Sequence, residues 1–429
     1  MKTLNLHPRR TASAALLLTV GLVVQIGLPA NSLAQTAFGL KWFGELRHHS
    51  SPHMLALGGL SAVTPRGGEE GVVGQLNPAL LANAQRVLYS FTWELGQLSG
   101  SYSDGEGTLK QSGPRLVGLA LPLGRGVVAG ISLQSLTTSE FEIHSDGMAP
   151  GDIPVRFDYR GSGGLSQAIA GVAWKAPSGA VSVGLESELL FGSVKQEWNI
   201  NFEPTDYSDS ADRLQRQHFG SRWRLGLQVV PVERLKIGMA VGTRGAIGVE
   251  HISIASSSEA DTVEGELKMG ETFLLGAGWE LNDLWSVYAD YRHAAWNKME
   301  WVEKPVSIGS SGASLDFSGF SADSDFGIGF EKIARPSEER TTVWDTFPIR
   351  VGFRLGTMYA PDLNGGSVSQ WYATLGTTRP MGSQNSAWID LALVIGRRTA
   401  SDAAGGSEGF WRIQIGVTGA ERWFLPPQR

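Results

Sequence analysis

The chain has 429 residues, 36 basic and 42 acidic, so it is acidic by six charges, and it contains no cysteine. An acidic chain is a poor partner for nucleic acid, and without thiols there are no disulfides, metal–thiolate sites or cysteine nucleophiles. Glycine is the outlier at 55 residues, without a collagen-like period and alongside 14 Trp, 17 Phe and 8 Tyr, a composition that suits a β-barrel.

The first 34 residues read as a secretory signal: Lys2, Arg9 and Arg10, an apolar stretch from Ala12 to Leu28, then Ser32-Leu33-Ala34 before Gln35. A membrane anchor is the alternative, but Thr19, Gly21 and Gln25 interrupt the stretch. Cleavage takes the charge from −6 to −9 by loss of the three basic residues. Beyond this segment no apolar run approaches the roughly 20 residues of a spanning helix, so any membrane passage must use strands.

Residues 35–85 lack strand alternation and carry Met54-Leu55-Ala56-Leu57-Gly58-Gly59 and Asn77-Pro78-Ala79-Leu80-Leu81. They read as a compact plug with short helices, the alternative being a disordered periplasmic leader. Asn77 is expected to hold a turn through its side chain and Pro78 to fix the bend.

From residue 86 the dominant signal is a period of two. Ile237, Met239 and Val241 alternate with Lys236, Gly238 and Ala240, and Ile349, Val351, Phe353 and Leu355 alternate with Arg350, Gly352 and Arg354. Trp223, Leu225, Leu227 and Val229 likewise interleave with Arg224, Gly226 and Gln228. Fourteen segments follow, near 87–104, 112–122, 126–143, 163–176, 179–203, 215–231, 234–256, 262–281, 284–304, 315–333, 341–359, 367–379, 385–400 and 407–421. Short turns such as Ala176-Pro177-Ser178-Gly179 and Leu281-Asn282-Asp283 alternate with long polar loops at 144–162, 204–214 and 305–322. Trp93, Trp174, Trp198, Trp285, Trp296, Trp301, Trp388 and Trp411 are expected to form interfacial girdles. The expected fold is all-β, an antiparallel transmembrane barrel of about fourteen strands over 86–424, with a helical plug and a tail at 425–429. A soluble secreted β-sandwich shares the period and stays open as an alternative.

The Gly-Gly pair after Ala-Leu, then Asn-Pro-Ala, Trp93, Leu121-Pro122-Leu123-Gly124, Trp344-Asp345-Thr346 and the closing Glu421-Arg422-Trp423-Phe424 resemble the FadL family of outer-membrane proteins. That resemblance implies passage of fatty acids or other hydrophobic compounds through a hatch-gated barrel by lateral diffusion. Gly58, Gly59, Asn77, Pro78 and Ala79 would be the hatch motif. The implied partners are an apolar small molecule, outer-membrane lipid and the outer-membrane assembly machinery, with no cofactor. The chain continues past Phe424 into Leu425-Pro426-Pro427, and PorV-like relatives, which act as scaffolds or shuttles for exported proteins, end similarly.

Arginine or lysine facing lipid at mid-bilayer costs ~2–4 kcal/mol, so Lys236, Arg224, Arg350, Arg354, Asp290, Arg292, Asp390, Glu186 and Glu188 should point inward. There they pair with one another or the plug, or Arg350 and Arg354 hold a ligand head group, as Lys236 and Arg224 could. Gly405-Gly406-Ser407-Glu408-Gly409 fits a hydrolase pattern, but lies between strands where that chemistry needs a strand-to-helix turn. His48, His49, His53, Glu69 and Glu70 read as a solvated plug surface in preference to a metal site. No enzyme activity is expected.

Overall fold

The computed structural model describes residues 38, 43–47, 51–66, 75–102, 105–149, 152–202, 208–255, 260–303, 320–335, 337–339, 341–342, 345–362, 365–381, 386–402 and 405–421. The signal segment, His48, His49, Glu69, Glu70, Trp344 and everything after Glu421 lie outside them.

The described residues form a closed antiparallel barrel of 14 strands. They are β1 (Val87–Tyr102), β2 (Gly105–Gly124), β3 (Val127–Ser135, resuming at Phe141–Ala149), β4 (Ile153–Lys175), β5 (Val181–Phe202), β6 (Ser210–Val232) and β7 (Leu235–Gly242 and Ala246–Ile254). There follow β8 (Asp261–Lys268 and Thr272–Glu280), β9 (Trp285–Ala294 and Glu300–Glu303), β10 (Asp323–Lys332), β11 (Ile349–Thr357), β12 (Val368–Met381), β13 (Ala387–Ala400) and β14 (Ser407–Glu421). Each pairs with its chain neighbour, and β1 closes the ring on β14 from Val87↔Glu421 to Ser101↔Ser407. Closure leaves no sheet edge across hydrocarbon, where an unpaired peptide group has no partner.

The period-two pattern sorts the side chains as expected. Ile237, Met239 and Val241 on β7, and Val351, Phe353 and Leu355 on β11, are exposed on the outer face, while Arg350, Arg354 and Ala240 are buried inside. No helix of the described residues is long and apolar enough to cross a membrane.

Three expectations are corrected. The supposed loop 144–162 is largely strand: β3 and β4 run on as a hairpin, Phe141↔Gly161 to Ala149↔Ile153. One face of it is ionic, with Glu142 taking Arg160 at 2.7 Å, and Phe141, Val155, Phe157 and Tyr159 alternate with that face on the other, so a period of two is present within the polar stretch. Segment 341–359 forms strand only from Ile349. Trp296 belongs to no girdle; it follows β9 in a 3-10 turn and is 6% exposed inside the barrel, against Phe43 and Tyr359. Trp388 also faces inward, packed beside the cluster of Leu88, Ala120 and Val128.

The plug occupies the lumen. A short helix, α1 (Pro52–Leu55), opens on a proline that suits its first turn, and closes through Gly58 and Gly59 at φ +81° and +71°. Gly58 N–H reaches Leu55 O at 3.0 Å and Gly59 N–H reaches Met54 O at 3.0 Å. A 3-10 helix, Pro78–Asn83, follows the N-cap Asn77. The inward glycines of the wall are where the plug backbone presses closest. A Cβ on Gly238 would land on the Ala62 carbonyl oxygen, and one on Gly352 on the Gly58 amide nitrogen.

Candidate functional site

Polar groups that fix the plug come from many strands, because alternate residues on each strand look inward. Asn77 is fully buried: its Oδ1 accepts from Ala79 N–H at 3.1 Å and its Nδ2 donates to Ala62 O at 2.7 Å and Leu227 O at 3.1 Å. One side chain thus caps the 3-10 helix and ties two plug segments to β6. Pro78 opens that helix, and Ala79 is buried against the wall.

Arg354 makes the second tie. Its Nε donates to Gly58 O at 2.6 Å and its Nη2 to Gly59 O at 2.9 Å and Asp290 Oδ1 at 2.5 Å, while Nη1 bonds Asp325. Asp290 also accepts from Ser61 N–H at 2.7 Å. Thr374 Oγ1 accepts from Gly58 N–H and donates to Ala56 O, both at 2.9 Å. Arg350 pairs with Glu331 at 2.8 Å and donates to Thr378 at 2.6 Å. Arg224 sits 2.6 Å from Glu188, and Lys236 Nζ donates to Thr64 O at 3.3 Å. All four cations proposed as ligand contacts therefore touch protein acceptors, and Arg354 and Lys236 touch the plug itself.

His53, at the head of α1, is buried between wall groups rather than solvated, a departure from the expectation. Burial and the Arg350 guanidinium push its imidazole well below its usual range, so it is neutral at pH 7. Glu331 and Asp390 lie 3.7 and 3.8 Å away, but Glu331 is already spent on Arg350. Ser407 opens β14 as an ordinary ladder residue opposite Ser101 and Thr399.

The residue pattern gave no warning of a cluster around Glu45 and Arg47. Glu45 is bonded by Arg398 and Arg412, and Arg47 by Glu94 and Gln111. Burial pushes the Glu45 carboxyl up, yet Arg398, Arg412 and Arg47 override it and hold it far below the usual carboxylate range.

This cluster adjoins a break in the wall. Strand β2 pairs with β3 only from Leu116↔Gln134 to Gly124↔Val127. Above that, among the described residues, no ladder joins Gly105–Arg115 to Phe141–Ala149. Between its two halves β3 bends into the lumen, where Thr137 and Thr138 pair with Leu46 and Glu45 of the plug. The bend is permitted by Gly163 and Gly164 on β4, at φ +97° and +146°, one against Ser193 O and the other against Thr137 O. A cavity of about 310 Å³ lies at the break, lined by Arg47, Glu94, Gln111, Arg115, Thr137 and Glu140 among others. Ser112 at its rim pairs across β1 with Leu95, which pairs with Ile413, so the break begins within the outward apolar belt.

Phe43, Leu190, Ile247, Leu267, Trp296 and Tyr359 form one apolar cluster above the charged layer. Between Leu46, Arg224 and Arg292 only a void of about 40 Å³ remains.

Comparison with known proteins fits this geometry. The chain resembles the solved structure of the Pseudomonas putida toluene transporter TodX, with a TM-score of 0.55 at 13% identity over 88% of this chain and 99% of that one. It also resembles a Pseudomonas aeruginosa FadL homologue (TM-score 0.57, 11% identity, 91% and 98% covered) and the monoaromatic hydrocarbon channel CymD (0.52, 14%, 88% and 99%). These likenesses are of fold. No curated protein sequence matches the chain. The family model described as BamG matches residues 14–428, almost the whole chain, so this protein belongs to the BamG family and carries its outer-membrane barrel on a FadL-like frame.

Proposed function

We propose that the barrel, exported through a cleaved signal at 1–34, passes small hydrophobic molecules between the outside and the outer leaflet through the break between β2 and β3. The plug, residues 35–85 with Gly58, Gly59, Asn77, Pro78 and Ala79 as its motif, closes the axial route and takes part in gating. The break carries this reading: it opens a cavity beside the plug at the level of lipid-facing Leu95 and Ile413. TodX is a toluene transporter and CymD a monoaromatic hydrocarbon channel, and a fatty acid is the ligand the family resemblance suggests. Such a molecule would gain roughly 25 cal/mol per Å² of apolar surface on leaving water, enough to drive entry without chemistry.

The test is uptake of labelled fatty acid or toluene by a host lacking its own fatty-acid porin. Because the chain has no cysteine, Ser135→Cys at the rim of the cavity takes a bulky maleimide selectively. Uptake that appears on expression and falls on labelling supports the lateral route; uptake no higher than in empty cells removes it.

A second reading is a scaffold or shuttle for exported proteins. It is favoured by the buried ion pairs that tie plug residues Glu45 and Arg47 to the wall and by the packing of plug Phe43 against Trp296 and Tyr359 inside the barrel. Stable co-purification of a protein partner, with no uptake, would select it.

A further inference from the structure

A second space in the lumen, the void of about 40 Å³, lies where the plug meets the wall. Leu46 and Leu76 close it from the plug side, and Gln167, Arg222, Arg224 and Arg292 reach it from β4, β6 and β9. With Arg47, four of its lining residues are arginines, and among the described residues none is a carboxylate. Arg222 and Arg224 lean on one carboxylate, Glu188: Arg222 bonds it through Nε, and Arg224 Nη1 stands 2.6 Å from it. Glu186 is 3.9 Å from Arg224, beyond hydrogen-bond reach. The two Nη atoms of Arg222 and the Nε and Nη2 of Arg224 take no acceptor among the described residues, and they are not sealed atoms. Both residues are at most 6% exposed, so the space these donors reach is the void they line. Gln167, 4% exposed, makes no hydrogen bond through its amide among the described residues, and its Nε2 adds a further open donor. Buried donors without acceptors are costly, and a space lined by them favours a guest that is all acceptor.

We propose that this void binds one small monovalent anion of chloride size, held by Arg222, Arg224 and the Gln167 amide. The space admits about two or three water-sized particles, so a halide fits and a carboxylate carrying an acyl tail does not. Water is the competing occupant, but it brings protons that need acceptors of their own. A halide brings none and sets a negative charge against two guanidiniums that share Glu188. Because Leu46 and Leu76 form one side of the space, the ion fastens the plug to β4 and β6, and its loss loosens segments 43–47 and 75–77. Arg47 lines both this void and the cavity at the break, which gives the ion its way in. The site does not rest on the proposed transport, and uptake need not change when the ion is withdrawn.

The experiment compares the full detergent-purified chain in sodium chloride, sodium bromide and sodium gluconate at equal ionic strength, which holds the screening of surface ion pairs constant. Amide exchange of 43–47 and 75–77 should slow saturably with chloride or bromide and not with gluconate. Crystals grown in bromide should give an anomalous peak within hydrogen-bond distance of Arg222 and Gln167. Gln167→Met, which keeps the volume and removes the donor, should raise the half-saturating chloride concentration about tenfold, the loss of one hydrogen bond to a charged group. Gln167→Glu places a fixed carboxylate in the void, so exchange should be slow already in gluconate and indifferent to chloride. If neither variant gives a heat-modifiable barrel, the bromide peak and the halide-specific protection of the wild type decide. Equal protection in gluconate, or water density in the void without a bromide signal, overturns the proposal. A bromide peak accompanied by an unshifted chloride titration in Gln167→Met marks an adventitious ion only, and overturns it too.

Discussion

Arg354 on the wall and Gly58 in the plug are joined by a 2.6 Å hydrogen bond from the guanidinium Nε to the glycine carbonyl, with a second arm reaching Gly59 O at 2.9 Å. Both glycines are in the left-handed region, which turns their carbonyls toward β11. The family-like Gly-Gly pair is therefore a docking element, its backbone held by a wall cation that two buried aspartates, Asp290 and Asp325, in turn hold in place.

Replacing Arg354 with methionine would strand those aspartates. Breaking a buried pair by removing one partner costs ~3–5 kcal/mol. The barrel, held by its ladders, should remain heat-modifiable, while amide exchange in 54–61 accelerates strongly. Unchanged protection of that segment would show that the tie is dispensable.

Asn77→Ala removes an N-cap acceptor and two donors together. Loss of a cap alone costs ~0.5–2 kcal/mol, and here Ala62 O and Leu227 O lose a partner as well. Protease nicking within the plug should rise several-fold at constant barrel yield. Asn77→Asp, which keeps the cap but cannot donate, should fall between wild type and alanine.

The glycine at 352 is set by the plug, not by the strand. Gly352→Val adds a Cβ onto the Gly58 amide nitrogen, backbone that has no room to yield. Planar-bilayer recordings should show a conductance absent from wild type as the plug is pushed aside. A silent Gly352→Val barrel would mean that the plug shifts without opening the axis.

Acid should loosen α1 through His53. Its folded affinity for protons is depressed by burial and Arg350, so the neutral form favours the seated plug. The contribution is complete above the ordinary histidine range and is lost progressively as pH falls below ~6.5. Exchange in 52–59 should quicken between pH 7.5 and 5.5 in the wild type and stay flat in His53→Gln. The opposite slope would indicate that Glu331 and Asp390 capture a proton on His53 instead.

Much of this frame is legible in the residues. Where a strand crosses lipid on one side and faces a polar lumen on the other, as at Leu235–Gly242 and Ile349–Thr357, the period of two is unambiguous. Past the bilayer the period of two persists but is charge-rich: in the hairpin Glu142, His144, Arg156, Asp158 and Arg160 share one face while Phe141, Val155, Phe157 and Tyr159 share the other, so its length and its charges, not a missing alternation, make it read as loop. Inward direction is legible for Arg350 and Arg354, but partner choice is not, because Asp290, Asp325 and Gly58 come together only once the ring closes. The inward bend of β3 left one signal, Gly163-Gly164 with Gly192 on the next strand, each at positive φ. The Glu45–Arg398–Arg412 cluster left none, since Glu45 lies 353 and 367 positions from the two arginines.

The break between β2 and β3 is the feature on which the lateral route stands. A high-resolution structure of the protein in lipid, solved with a hydrophobic compound present, measures it directly. A lateral route requires no backbone pairing between Gly105–Arg115 and Phe141–Ala149, and elongated density running from the cavity at the break outward into the bilayer. A continuous ladder across those segments, or guest density confined to the barrel axis, would contradict it.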